Sequence, residues 1–207
     1  MERRELLKMI ALATGSAVIG GEFLLSGCKN NNAGNGITFS ADDIALLDEV
    51  AETILPKTNT PGAKDAKVGE YMKVMVTDCY TAENQKTFYD GIKQLDDACD
   101  KMHKVGFMKA TPEQRKSLLE ALDKEAKAFQ KAKSEKEKEL REKANKEHDK
   151  KFDFAPNHYF TMMKQLTLSG YFTSEVGATK ALRYLAVPGK FDGCAPYTKG
   201  EKAWATS

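Results

Sequence analysis

Apolar residues recur every three to four positions along most of the chain after residue 39, which is the period of α-helices that bury one face. Ser40 precedes the first of these runs with acidic residues directly behind it, and Pro56 ends the run. We therefore expect a capped helix between them. No segment shows the alternating pattern of a half-buried β-strand. The pattern predicts an all-α fold, a compact bundle of about five to six helices.

Three further apolar runs predict the next helices. The second helix spans about 65–80, the third begins at Thr81 and ends near Lys104, and the fourth begins at Thr111 with a proline at its first position. We expect the buried faces of these helices to include Val68, Tyr71, Met72, Val74, Met75, Phe88, Ile92, Leu95, Met102, Leu118, Leu119, Leu122 and Phe129.

The fourth helix leads into a highly charged stretch, residues 131–151, in which Leu140 is the only large apolar residue. Opposite charges recur four residues apart, as in Glu137 and Arg141, and each such pair favours a helix by about 0.2–0.5 kcal/mol. Such a stretch has no apolar face with which to bury itself. The pattern predicts a long charged arm, and both an exposed helix and a partly frayed insertion remain open.

A last pair of helices is expected beyond the charged stretch. The first begins near Pro156, the second begins at Thr173, and residues 187–197 have the composition of a loop. The expected buried residues of this pair are Tyr159, Phe160, Met163, Leu166, Leu168, Ala181, Leu182 and Leu185.

The first 27 residues have the pattern of an export signal rather than of a folded element. Arg3 and Arg4 open a basic segment, and a short apolar run follows it. The sequence then reads Leu25-Ser26-Gly27 before Cys28, the pattern at which a lipoprotein signal peptidase cuts. We expect a twin-arginine (Tat) lipoprotein signal over 1–27, with an ordinary secretory lipoprotein signal as the alternative.

Lipidation of Cys28 would anchor the chain to a membrane outside the cytoplasm. Residues 28–38 are polar, rich in asparagine and glycine and without periodicity, so we expect a flexible tether there. The remaining residues, 39–207, suffice for one helical domain.

The charge balance and the lack of catalytic motifs argue against nucleic-acid binding and catalysis by this chain. The formal net charge is only +2, which gives no indication of nucleic-acid binding. The sequence contains no phosphate-binding loop, no C-x-x-C pair and no nucleophile elbow, and its three histidines are far apart. We therefore expect no catalytic, cofactor-binding or metal-binding residues, and a non-catalytic role.

Three cysteines remain if Cys28 is acylated: Cys79, Cys99 and Cys194. Cys79 and Cys99 are separated by most of the third helix, about 25 Å along its axis, whereas the Cα atoms of a disulfide lie within about 7 Å. Because Cys194 lies in the loop-like tail, it could reach either Cys79 or Cys99, and Cys79 is the favoured partner. A Cys79–Cys194 disulfide and three reduced thiols both remain open.

Several short motifs, in order along the chain, carry a family resemblance. They are Ile54-Leu55-Pro56, Thr60-Pro61-Gly62-Ala63, Asp78-Cys79-Tyr80, Gly170 to Ala178, Leu182-Arg183-Tyr184, Pro188-Gly189 and Asp192-Gly193-Cys194. Together they resemble the gluconate 2-dehydrogenase subunit 3 family over most of residues 40–200. The charged stretch 131–151 is longer than that family needs.

The resemblance implies a non-catalytic small subunit of a membrane-associated, FAD-dependent dehydrogenase of the glucose–methanol–choline type. The large subunit would hold FAD and oxidise a sugar, sugar acid or polyol, and a cytochrome c subunit could accept the electrons. The small subunit would assist folding, export or membrane attachment on the periplasmic side of a bacterial membrane. The residues that the resemblance suggests for the partner interface are Tyr171, Thr173, Glu175, Gly177, Arg183, Tyr184, Pro188, Gly189, Asp192 and Gly193.

Two other hypotheses assign the chain a different kind of function from that of an accessory subunit. A stand-alone periplasmic lipoprotein could bind a protein or a ligand, with the charged arm as its binding region. An enzyme in its own right is disfavoured, because the sequence shows no catalytic constellation. An exposed apolar patch would favour the accessory subunit over the stand-alone lipoprotein.

Overall fold

The computed structural model describes residues 37–147 and 155–205, apart from positions 188, 190–192, 195 and 197. The predicted signal 1–27, Cys28 and most of the predicted tether lie outside the described residues. The described chain contains five α-helices, a short 3-10 helix and a π-helical turn. They are α1 (Ala41–Ile54), α2 (Val68–Cys79), α3 (Ala82–His103), the 3-10 helix (Phe107–Lys109), α4 (Pro112–Glu147), α5 (Tyr159–Thr173) and the π turn (Gly177–Ala181).

The all-α prediction is confirmed for the described residues, which contain no strand beyond one isolated bridge between Arg183 and Trp204. The predicted start of α1 is also confirmed. The Ser40 hydroxyl accepts a hydrogen bond from the Asp43 N–H, and the Asp43 carboxylate accepts one from the Ser40 N–H. This capping box satisfies donors that the first turn of a helix otherwise leaves without partners.

Helix α5 is the central element, because it packs against each of the four other helices. At about 100° per residue its buried residues cover roughly half of its circumference as one wide face, and most of the exposed residues lie on the other half. Thr167 is fully buried and donates its hydroxyl to the Met163 carbonyl at 2.8 Å, so its polar group is satisfied. The buried residues of α5 are Tyr159, Phe160, Met162, Met163, Leu166, Thr167, Gly170 and Tyr171.

Two glycines allow the neighbours of α5 to approach closely. A Cβ atom on Gly170 would lie 2.5 Å from Cδ1 of Tyr71 in α2. A Cβ atom on Gly91 of α3 would lie 2.4 Å from Cβ of Tyr159. These distances are far below van der Waals contact, so both positions require glycine for this packing.

Helix α4 continues into the charged stretch, and the prediction of a long helical arm is confirmed as far as Glu147. The helix has 36 residues and is about 54 Å long. Near the base of the arm, the Lys133 ammonium donates to Oδ1 of Asn157 at 2.6 Å, and the Phe129 ring packs edge-on against His158. These contacts fix the arm to the segment that leads into α5.

Three residues predicted to be buried are about half exposed instead: Val74, Met102 and Phe129. Val74 lies two residues from the buried Met72 and Val76, which is about 200° around the helix from each, so it faces outwards. Met102 lies in the last turn of α3, and Phe129 lies where the charged stretch of α4 begins. Apolar spacing alone does not show where neighbouring helices end.

The predicted last helix, from Thr173 onward, forms only as a short helical segment over residues 175–181, which ends in the π turn. The chain then extends from Leu182, whose ψ is −179°. Leu168 and Leu185, both predicted to be buried, are exposed. The start of α2 also differs, because the helix begins at Val68 rather than near residue 65. No helix among the described residues is long and apolar enough to cross a membrane.

Candidate partner-binding surface

The turn after α5 is built by Ser174 and Gly177. The Ser174 hydroxyl donates to the Tyr171 carbonyl at 2.7 Å and accepts from the Gly177 N–H at 2.9 Å. A Cβ atom on Gly177 would lie 1.9 Å from the Tyr171 carbonyl oxygen, so no side chain fits there. The predicted interface residue Gly177 is buried, and the structure gives it a role in the turn.

Tyr171, another predicted interface residue, is also buried. Its hydroxyl donates to the Pro61 carbonyl at 2.5 Å and so connects α5 to the loop between α1 and α2. Thr173 and Glu175 are exposed. The Thr173 hydroxyl donates to the Ser169 carbonyl at 2.7 Å, which leaves its methyl group and the Glu175 carboxylate as candidates for an outside contact.

The loop between α1 and α2 is held by acidic side chains. The Glu52 carboxylate accepts from the backbone N–H groups of Lys57 and Lys64, at 2.8 and 2.9 Å. Asp65 accepts from the Lys57 ammonium and from the Gly62 N–H, and these hydrogen bonds hold the pKa of its carboxyl below the usual value. The positive charge of Lys180 in the π turn acts in the same direction.

Arg183 joins the end of the helical body to the C-terminal segment. Its N–H donates to the Ala203 carbonyl at 2.8 Å, and its carbonyl accepts from the Ala205 N–H at 2.7 Å. Its guanidinium lies 4.2 Å from the centre of the Trp204 ring and donates to the Glu201 carboxylate at 3.1 Å. Two main-chain bonds, a cation–π contact and an ion pair therefore hold residues 201–205 against Arg183.

Four large apolar side chains are exposed on the two segments that Arg183 joins. Tyr184 is 50% exposed, Leu185 53%, Val187 79% and Trp204 50%, which is far more than core residues of these types would be. We call these four residues the C-terminal surface. Tryptophan and tyrosine are enriched among the residues that contribute most to protein–protein binding. The C-terminal surface is therefore the candidate binding site of this chain.

The remaining predicted interface residues lie in the chain between Val187 and Trp204. Gly189 is exposed with a φ of +71°, a conformation that favours glycine, and Gly193 lies in an exposed turn. Pro188 and Asp192 lie outside the described residues. The structure brings Arg183 together with Trp204, the only tryptophan of the chain, which no motif or periodicity in the sequence indicated.

Cys79 is a free thiol at the end of α2, with its sulfur 4.0 Å from the Met75 sulfur. The Cys79–Cys194 disulfide, which the sequence left open, is therefore not formed in the structure. Cys99 is buried in α3, where burial raises the pKa of its thiol. Within the described ranges, no three His, Cys, Asp or Glu side chains are grouped so that they could hold a metal ion.

One comparison with known proteins gives a match. Residues 41–189 match the family model described as gluconate 2-dehydrogenase subunit 3. The match begins with α1 and extends through α5 to Gly189, so it includes Arg183, Tyr184, Leu185 and Val187 but ends before Trp204. No curated protein and no solved structure matches the chain.

Proposed function

The chain belongs to the gluconate 2-dehydrogenase subunit 3 family, and we propose that it is the non-catalytic small subunit of an exported, membrane-associated FAD-dependent dehydrogenase. The family match supports an accessory subunit of a dehydrogenase complex. In the proposal, the large subunit is a flavoprotein of the glucose–methanol–choline type that oxidises a sugar, sugar acid or polyol. A cytochrome c subunit would receive the electrons.

The C-terminal surface is the observation that supports a binding role most directly. Complete burial of an aliphatic or aromatic side chain contributes about 1.5–3 kcal/mol, so each half-exposed side chain still offers about 1 kcal/mol to an interface. Exposed apolar patches on a folded protein commonly mark such interfaces. In the proposal, the flavoprotein covers Tyr184, Leu185, Val187 and Trp204.

The N-terminal pattern supports export and attachment. We propose that residues 1–27 direct the chain through the twin-arginine route, which carries folded proteins and their bound partners. Acylated Cys28 would then hold the complex on the periplasmic side of a bacterial membrane. The tether proposed between Cys28 and Ile37, which packs against the core, would have a root-mean-square length of roughly 17 Å, so the helical domain would stay close to the lipid headgroups.

Affinity purification of the membrane-extracted protein from its native host tests this proposal. We expect a stoichiometric larger subunit with the absorbance bands of an oxidised flavin, bleached by the correct sugar or polyol. A Cys28→Ala variant is the matched control, and we expect it to retain the partner but to leave the membrane fraction. Recovery of the chain alone and colourless, under conditions that keep other membrane complexes intact, would contradict the accessory-subunit proposal.

The charged arm favours one alternative, a stand-alone lipoprotein that binds a protein or ligand. The described side chains of α4 between Gln130 and Arg141 are mostly polar and exposed, and they include Leu140, which is half exposed. This alternative predicts that removal of residues 131–151 abolishes binding of whatever partner is found. The accessory-subunit proposal predicts that this deletion leaves the flavoprotein bound.

A further inference from the structure

Trp204 lies outside the part of the chain that matches the family, yet it contacts a residue inside that part. The family match ends at residue 189, whereas the Trp204 ring stacks on Arg183. The main-chain bridge to Arg183 places residues 203–205 beside the exposed residues Tyr184 and Leu185. The C-terminal segment thus adds a tryptophan to an apolar surface that the family domain provides.

The position of Trp204 is fixed before any partner binds. Its neighbours Ala203 and Ala205 form the two main-chain hydrogen bonds to Arg183, and the guanidinium holds one face of the ring. The Lys202 ammonium also donates to the Lys180 carbonyl at 2.5 Å. An exposed tryptophan that is already ordered loses little conformational entropy on binding, which is the property of an anchor residue.

Positive charges predominate around this tryptophan. Glu201 is paired with Arg183, which leaves Glu175 as the remaining acidic side chain among the described residues between 175 and 205. The basic side chains that remain in that region, beside the paired Arg183, are Lys180, Lys199 and Lys202. A partner with carboxylates around an apolar pocket would complement this arrangement, and its charges would speed association.

We propose that Trp204 is a docking anchor that this chain adds to the family domain. It inserts into an apolar pocket, bordered by carboxylates, on the dehydrogenase subunit. The inference rests on the proposed function, because it takes the flavoprotein as the occupant of the C-terminal surface. It goes further in naming the anchor residue, the chemistry of the opposing pocket and the contribution of the segment beyond the family match.

The test uses the full-length lipidated chain, co-expressed with the flavoprotein that co-purifies with the wild type. We expect Trp204→Ala to raise the dissociation constant at least about tenfold, as truncation of an anchor does. Trp204→Phe should restore part of the loss. The matched control is Leu140→Ala on the arm, since Leu140 is similarly exposed (48%) and should leave the affinity unchanged. Circular dichroism of each variant checks that the helices are intact.

A second measurement does not depend on any variant. Because the chain has a single tryptophan, growth with fluorotryptophan places one fluorine NMR reporter at position 204. We expect this resonance to shift and to lose its sensitivity to exchange of H2O for D2O when the unlabelled flavoprotein is added. Affinity should fall with added salt, and Lys199→Glu with Lys202→Glu should slow association.

Different results would contradict the proposed function and the Trp204 anchor. If the wild-type chain recovers no flavoprotein, the proposed function is wrong, and the anchor proposal falls with it. If the wild type recovers the flavoprotein but Trp204→Ala binds equally well and the fluorine signal stays solvent-exposed, only the anchor proposal is overturned. A fluorine shift that depends on the concentration of this chain alone would instead identify a second copy as the occupant, which also overturns it.

Discussion

Arg115 provides the sharpest test of how the helical body is held together. Its side chain is 15% exposed and makes contacts with two other elements of the fold. Nη1 lies 2.5 Å from the Glu49 carboxylate of α1, Nε donates to the Phe107 carbonyl at 2.9 Å, and Nη2 donates to the Met108 carbonyl at 2.8 Å. Arg115 thus links the start of α4 to α1 and to the 3-10 helix.

We expect Arg115→Met to lower the free energy of unfolding by about 3 kcal/mol. Removal of one partner from a buried ion pair typically costs about 3–5 kcal/mol, and hydrogen bonds to charged groups contribute about 1.5–3 kcal/mol. The lower end applies here, because Glu49 keeps its ion pair with Lys64 and is itself partly exposed. Methionine preserves most of the side-chain volume, so little of the loss would come from a cavity.

Urea denaturation of residues 39–207, followed by circular dichroism, measures this change. The matched control is Lys86→Met, which removes an ion pair between largely exposed side chains, 68% and 49% exposed, and should cost at most about 1 kcal/mol. The melting temperature of Arg115→Met should fall by about 6–12 °C. An effect no larger than that of Lys86→Met would refute the conclusion that Arg115 connects these elements.

Three other variants or titrations follow from single contacts. Gly177→Ala should lower the free energy of unfolding by about 2 kcal/mol or more, because its methyl group would overlap the Tyr171 carbonyl; a thermal melt no different from wild type would contradict this. Hydrogen bonds from two lysine ammonium groups hold the pKa of Asp123 below its usual 3.8, so its contribution to stability is present above that pH and is lost as the pH falls through the lower folded value. Acid denaturation of Asp123→Asn should therefore show a smaller loss of stability between neutral and acid pH than the wild type. Burial raises the pKa of Tyr159 to about 12, so its phenol should titrate well above the usual value of about 10 in an ultraviolet absorbance titration, and the folded state should lose stability as the pH rises above about 10.

The proposed function and the Trp204 anchor assign separate roles to the helical body and to the C-terminal surface. Helices α1 to α5 form a body whose glycines and buried tyrosines set its packing, as at Gly170 and Tyr171. The surface proposed for the partner follows that body in the chain, where Arg183 orders a segment with no helix of its own. Variants at the surface should therefore change affinity with little effect on the melting temperature, whereas variants in the body should change both.

The sequence by itself determined where most helices begin. Ser40, Thr81 and Thr111 were each recognisable as N-caps, because a hydroxyl at that position bonds to an N–H three residues later, as Asp43, Asn84 and Gln114 do here. Such contacts span a few residues and need no neighbouring element. The alternating charges of α4 likewise predicted a helix from interactions four residues apart. The ordered motifs also carried the family resemblance, which the match over residues 41–189 confirms.

The tertiary structure alone decided which apolar residues are buried and where the candidate surface lies. Leu185 has the helical spacing of a core residue, yet the helical segment after α5 ends at Ala181, the chain extends from Leu182, and Leu185 is exposed. Trp204 lies in a loop-like tail without periodicity, and only the contact with Arg183, 21 positions earlier in the chain, gives it a defined place. Hydrogen bonds and packing between residues so distant depend on the completed fold, so no local pattern in the sequence could predict them.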